Sequence, residues 1–165
     1  YNLGCAFAQA GRAEEAIAQF RDALAIAPDY LMAQNNLALE LKKIGKVDEA
    51  IALFRRSLQF DPRYDSAHNN LGNALVERGV LGEAEFHYRR AVEINPRNAV
   101  AMNNLGSLLS RIGKDREAVA LYQGALAVDP HYALAHYNLG KALTALGRPE
   151  EALPHLREAA RLRSP

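Results

Sequence analysis

The chain has 165 residues, 49% apolar and 24% charged, with a formal net charge of +1 and one cysteine. That balance gives no electrostatic case for nucleic acid or for an anionic membrane surface. No apolar run approaches the roughly 18 residues a membrane helix needs, and one Cys excludes an internal disulfide.

A 34-residue period organises the whole sequence. It is held by an apolar-small step at Leu3-Gly4, Leu37-Ala38, Leu71-Gly72, Leu105-Gly106 and Leu139-Gly140. Further lines run through Gly11, Gly45, Gly79, Gly113 and Gly147, through Ala16, Ala50, Ala84, Ala118 and Ala152, and through Pro28, Pro62, Pro96 and Pro130. The period predicts one array over 1–165, with repeats at about 1–30, 31–64, 65–98, 99–132 and 133–165. By this register four residues belong before Tyr1, so the chain reads as a piece of a longer protein.

Each repeat reads as two helices. In the fourth, Ala101, Leu105, Leu108, Leu109 and Ile112 recur at helical spacing. Gly113 then ends the helix in a left-handed conformation. Asp115 is placed to cap the second helix, which carries Ala118, Val119, Tyr122, Ala125, Leu126 and Val128. Asp129-Pro130 stops it, because proline has no N–H and disfavours helix in the residue before it. Gly106 is expected where the two helices of one hairpin meet, a place where a side chain would force them apart.

The residues Leu71, Gly72, Leu75, Ala84, Tyr88, Ala91 and Pro96 of the third copy resemble the tetratricopeptide repeat (TPR), and the resemblance covers the whole chain. Departures are Ala38 for Gly, Ser57 for a small Ala, and Ser164 where Pro is usual. The resemblance implies an all-α solenoid of five stacked helix-turn-helix units. Its right-handed superhelical arc would have first helices lining a concave groove.

On the first helix of the fourth repeat, Val100, Asn103, Asn104, Ser107, Ser110 and Arg111 fall opposite the core residues. One groove position is asparagine in all five copies: Asn2, Asn36, Asn70, Asn104 and Asn138. Asparagine is a poor helix-interior residue, but its carboxamide both donates and accepts, as a peptide group does. Packed helices lie roughly 8–10 Å apart and an extended chain advances about 3.3 Å per residue. One Asn per repeat could therefore meet a peptide backbone at about every third residue. The competing reading is that each Asn bonds to the preceding hairpin and fixes repeat spacing. A similar Asn ladder lines the TPR region of O-linked N-acetylglucosamine transferases and Spindly-like proteins, where it holds extended peptides.

Neighbouring groove lines vary: Tyr1, Asn35, Asn69, Asn103, Tyr137; then Cys5, Leu39, Asn73, Ser107, Lys141; then Met32, Ser66, Val100, Leu134. Asn35, Asn69, Asn73, Asn103 and Lys141 join the ladder as candidate peptide-binding residues. A Lys/Arg clamp on a terminal carboxylate is not expected, since the corresponding places carry Met32, Ser66, Val100, Leu134 and Asn.

Five His do not form a metal motif: His68 and His136 share one repeat position, His87 and His155 another, each pair 68 residues apart. No nucleophile elbow, phosphate loop or other catalytic constellation appears, so no enzyme activity, cofactor or metal is expected. Arg55-Arg56 and Arg89-Arg90 lie on second helices, as a solvated outer face.

The expected function is a protein-interaction scaffold that binds an extended protein or peptide segment through the Asn ladder. Nucleic acid and membrane insertion are not expected. One alternative is the substrate-recognition arm of a glycosyltransferase whose catalytic domain lies outside these residues. Another is a homotypic assembly module, associating end to end through uncapped terminal helices that offer Leu153, Leu156, Ala160 and Leu162. The single thiol and lack of a visible signal peptide suggest the cytoplasm.

Overall fold

The structure, a computed structural model, describes residues 1–163. Among the described residues there are ten helices and no strand. They form five hairpins: α1 (Asn2–Gln9) with α2 (Ala13–Ile26), α3 (Leu31–Lys43) with α4 (Val47–Phe60), α5 (Asp65–Glu77) with α6 (Leu81–Ile94), α7 (Ala99–Arg111) with α8 (Asp115–Val128), and α9 (Ala133–Ala145) with α10 (Pro149–Arg163). Ser164 and Pro165, read from the sequence as the end of the last repeat, lie outside the described residues.

Helix ends follow the residues. At Gly113, φ is +79°, a conformation that costs a side chain but not glycine. The Gly113 N–H donates to Ser110 O at 3.1 Å and the Lys114 N–H to Leu109 O at 2.8 Å, the paired bonds of a Schellman motif. Because this motif closes directly onto Lys114, the next helix starts at once. Lys114, not Asp115, is therefore the N-cap, and it makes no side-chain cap bond. Asp115 instead lies in the first turn, where the helix dipole favours a carboxylate. The second helix ends at Val128. Asp129 has φ −130° and ψ 95°, the extended conformation expected of a residue before proline, and its Oδ1 accepts from the His131 N–H at 3.0 Å.

The chain divides into two compact units, Tyr1–His87 and the segment from Tyr88 onward. In the first, α1 packs on α2, α2 on α3, α3 on α4 and α4 on α5. Its core holds Phe20, Ala33, Leu37, Leu41, Phe54, Leu71 and Leu75. In the second, α7 packs on α8, α8 on α9 and α9 on α10, around Leu105, Leu109, Tyr122, Leu139 and Leu143. The small position on the first helix is a true close approach: a Cβ on Gly106 would stand 2.7 Å from the Tyr122 ring, and one on Gly140 2.6 Å from Leu156.

The outer arginines are better organised than a solvated face requires. In the first unit Arg21 reaches Glu49 at 3.5 Å and Arg55 reaches Glu83 at 2.7 Å; in the second Arg89 reaches Glu117 at 3.0 Å. Each links one second helix to the next at the same repeat register. All are solvent-exposed to a large degree, so each contributes little singly. The Arg55 guanidinium nevertheless holds the Glu83 carboxyl below its ordinary range.

Candidate functional site

The ladder asparagines occupy the first helices, and they are not uniform. Asn2 is exposed, whereas Asn36, Asn70, Asn104 and Asn138 are half-buried. For Asn36, Asn70 and Asn138 the amide reaches back to the preceding repeat. Asn70 Nδ2 donates to Asn35 Oδ1 at 2.9 Å, and Asn138 Nδ2 donates to Asn103 Oδ1 at 2.9 Å. Where the first repeat carries Tyr1 in place of that second Asn, Asn36 Nδ2 donates to the Tyr1 hydroxyl at 3.1 Å. Burial, with Cys5 beside it, pushes that phenol up to about 12. Asn70 also accepts from Asn69 Nδ2 at 3.3 Å.

The second asparagine line thus departs from its expected place on the open face. Asn35, Asn69 and Asn103 are 7%, 8% and 1% exposed. Asn35 and Asn103 each meet the first helix of the next repeat, where a carboxamide can be buried because that repeat supplies its partner. In the repeats of Asn36, Asn70 and Asn138 one N–H of the ladder amide is spent on the preceding repeat. Among the described residues, the Oδ1 atoms of Asn36 and Asn138 accept no hydrogen bond from the protein.

Each unit opens a cavity beside one of its ladder asparagines. In the first, Cys5, Gln9, Phe20, Asn36, Leu39 and Glu40 line about 190 Å³ between α1 and α3. In the second, Ser107, Arg111, Asp115, Tyr122, Asn138 and Lys141 are among the residues lining about 370 Å³ between α7 and α9. The two are register equivalents, 102 residues apart: Phe20 corresponds to Tyr122, Asn36 to Asn138 and Cys5 to Ser107. The Tyr122 phenol is raised above its ordinary value by burial.

The other groove candidates differ in exposure. Met32, Val100 and Leu134 are 46%, 48% and 47% exposed, Ser66 and Asn73 half-buried, and Lys141 exposed, its ammonium 5.5 Å from the Tyr137 ring centre.

Sequence reasoning missed the histidine pairing, because a comparison of equal repeat positions does not reveal it. Inside one hairpin His68 Nδ1 lies 2.9 Å from His87 Nδ1, and inside another His136 Nδ1 lies 3.0 Å from His155 Nδ1. The second repeat places Gln34 at this position, its Oε1 accepting from Ser57 Oγ at 2.8 Å and its Nε2 donating to Pro28 O at 2.6 Å. The Ser57 departure thus has a partner. Among the described residues no group of three or more His, Cys, Asp or Glu is arranged to hold a metal ion.

Family models of the tetratricopeptide repeat match residues 1–30, 38–79, 63–131 and 103–165, leaving only 31–37 unmatched. Together with ten helices in five hairpins at a 34-residue spacing, this decides the family. The chain belongs to the tetratricopeptide repeat family. The TPR fold is shared with several solved structures. A crystal structure of MamA is 22% identical, with 96% of this chain and 93% of that chain covered and a TM-score of 0.82. TTC0263, a thermophilic TPR protein of Thermus thermophilus, is 26% identical over 98% of this chain and 89% of that one, TM-score 0.81. YrrB, described as a TPR protein with an unusual peptide-binding site, is 24% identical over 98% and 84%, TM-score 0.74. No curated protein matches the chain by sequence. No described helix of this TPR chain is long and apolar enough to cross a membrane.

Proposed function

We propose that this TPR chain is a non-catalytic protein-interaction scaffold that binds an extended peptide along its first helices, using the ladder asparagines as backbone contacts. The observation that carries the reading is the recurrence of one cavity, in both units, at the ladder asparagine. Asn36 and Asn138 each keep a carbonyl oxygen for a ligand after using an N–H to hold the preceding repeat. An acceptor fixed by its own donor loses little freedom on binding, which favours affinity. Peptide binding in YrrB is consistent with this use of the fold.

The test is a screen of extended 12-residue peptides by fluorescence anisotropy, followed by titration against wild type and an N36A/N138A variant shown by circular dichroism to be folded. Weakened binding is expected. Equal affinity for the two proteins would refute the ladder.

A second reading, self-association, is favoured by the last hairpin, where Tyr137, Leu156, Ala159 and Ala160 line about 440 Å³ and Leu153 is 46% exposed. Sedimentation velocity over a hundredfold concentration range would reveal it as a rising sedimentation coefficient, and a constant monomer value would dismiss it.

A further inference from the structure

The two histidine pairs are built alike. Inside the third hairpin the Nδ1 atoms of His68 and His87 stand 2.9 Å apart, with ring centres 5.1 Å apart. Inside the fifth, those of His136 and His155 stand 3.0 Å apart, with centres 5.2 Å apart. In each pair the centres are further apart than the nitrogens by close to two ring radii. The two nitrogens therefore lie near the line that joins the rings, and their in-plane orbitals point at each other. The outer nitrogens are held as well. His68 Nε2 lies 3.2 Å from Pro62 O and His136 Nε2 lies 3.0 Å from Pro130 O, the kind of outer partner that orients a metal-bound imidazole. His87 Nε2 lies 3.7 Å from Glu83 Oε1, and Arg55 holds that carboxylate at 2.7 Å. His68 is buried and the other three rings are half-buried. The second and fourth repeats carry Gln34 with Leu53 and Met102 with Leu121 at these positions, so neither has such a pair.

We propose that each histidine pair binds one soft, closed-shell monovalent cation, Cu(I), in linear geometry between its two Nδ1 atoms. Imidazole suits copper, and a linear site asks for two nitrogens and no further ligand. Among the described residues no group of three or more His, Cys, Asp or Glu could hold a metal ion, which disfavours zinc, normally four-coordinate. Burial acts in the same direction, because stripping water from an ion costs more as its charge rises. Metal–imidazole bonds of about 2 Å set the nitrogens about 4 Å apart in a straight line, so each ring draws back by about half an ångström along the line it already occupies. The proton count closes without release. In the neutral pair His68 carries its hydrogen on Nε2, toward Pro62 O, and His87 carries its own on Nδ1. Binding moves the His87 hydrogen to Nε2, on the side of Glu83, and leaves both Nδ1 electron pairs to the ion. Glu83 is thus a positioning residue. The carboxylate at the same register in the other pair, Glu151, is held through both oxygens by Arg148, so the His68–His87 pair binds more tightly.

The experiment uses the C5S protein, so that the single thiol does not capture the ion. Silver(I), which is redox-inert and prefers the same linear geometry, is titrated while the imidazole nitrogens are followed by NMR. Two ions per chain are expected, each moving two Nδ1 resonances and leaving His131 in place. Cu(I), transferred anaerobically from its ferrozine complex, should match that number and give the X-ray near-edge feature of linear two-coordinate copper. H87Q/H155Q keeps a hydrogen-bond donor opposite His68 and His136 but takes one ligand from each pair, and uptake should fall to none. E83Q should weaken one of the two sites about tenfold and leave the other unchanged. Nδ1 resonances that ignore silver(I), or copper uptake that survives H87Q/H155Q, would overturn the site.

Discussion

His68 and His87 meet head to head through their Nδ1 atoms at 2.9 Å, and the ring of His68 is fixed from its other side by Pro62 O, 3.2 Å from Nε2. A carbonyl only accepts, so in the neutral pair His68 carries its hydrogen on Nε2 and its Nδ1 must accept from His87. His136 and His155 repeat the arrangement, with Pro130 O at 3.0 Å. One proton between the two Nδ1 atoms satisfies both rings, and an added proton has to be accommodated in a half-buried place.

Stability should therefore fall in acid. Burial, then the charge of His68, lowers His87 from an ordinary 6.5 to about 4, and burial lowers His155 in the same direction. A histidine whose pKa is depressed by folding binds fewer protons in the native state than in the unfolded chain. Stability is then complete above about pH 6.5 and declines as the pH drops from 6.5 toward 4. The expected loss is on the order of 1–3 kcal/mol for His87. Urea midpoints measured from pH 8 to pH 5 should shift accordingly. H68M/H87L installs the residues that the fourth repeat carries at these positions, Met102 and Leu121, and should flatten that part of the profile. An unchanged slope would dismiss the pair as its source.

The Asn138–Asn103 bond separates a spacing role from a ligand role. N103A removes the clamp and keeps the ladder amide, whereas N138A removes both. Each should cost about 1–2 kcal/mol in chemical denaturation, with a coupling of about 1 kcal/mol in the double-mutant cycle. Affinity for a bound peptide should fall much further in N138A than in N103A. Parallel losses would assign the ladder to repeat spacing alone.

Two glycines are required for different reasons, and alanine scanning should distinguish them. At Gly106 a Cβ meets the buried Tyr122 ring at 2.7 Å, so G106A overpacks the hairpin and should cost about 1–3 kcal/mol. At Gly113 a Cβ meets nothing within 4 Å, but φ is +79°. G113A should cost about 1 kcal/mol from the backbone alone, and G113N less, because asparagine tolerates this region better. Equal costs for G113A and G113N would contradict the conformational explanation.

The ion pairs linking successive second helices should matter little one at a time. R89Q is expected to lower stability by less than about 0.5 kcal/mol, an effect that vanishes in roughly 0.5 M salt. A loss of about 2 kcal/mol that resists salt, well above the usual surface pair, would show that the Arg89–Glu117 contact is better shielded than its exposure indicates.

Much of this protein was legible in the chain itself. The 34-residue period, the left-handed glycines, the extended residue before proline and the close approach at Gly106 depend on backbone geometry within a turn or on one small residue at a fixed register. Sequence encodes such features directly. The N-cap falls one residue before Asp115, because the Schellman turn consumes no extra residue between helices.

What the tertiary structure decided are relations across helices. His68 finds His87 at a separation of 19 residues, Asn103 is buried under the amide of the next repeat, and Arg111 and Lys141 share a cavity whose counterpart holds Glu40. Such pairings depend on how far each helix is rotated and shifted against its neighbour. That rotation is set by the summed packing of many side chains, and no single residue or spacing carries it.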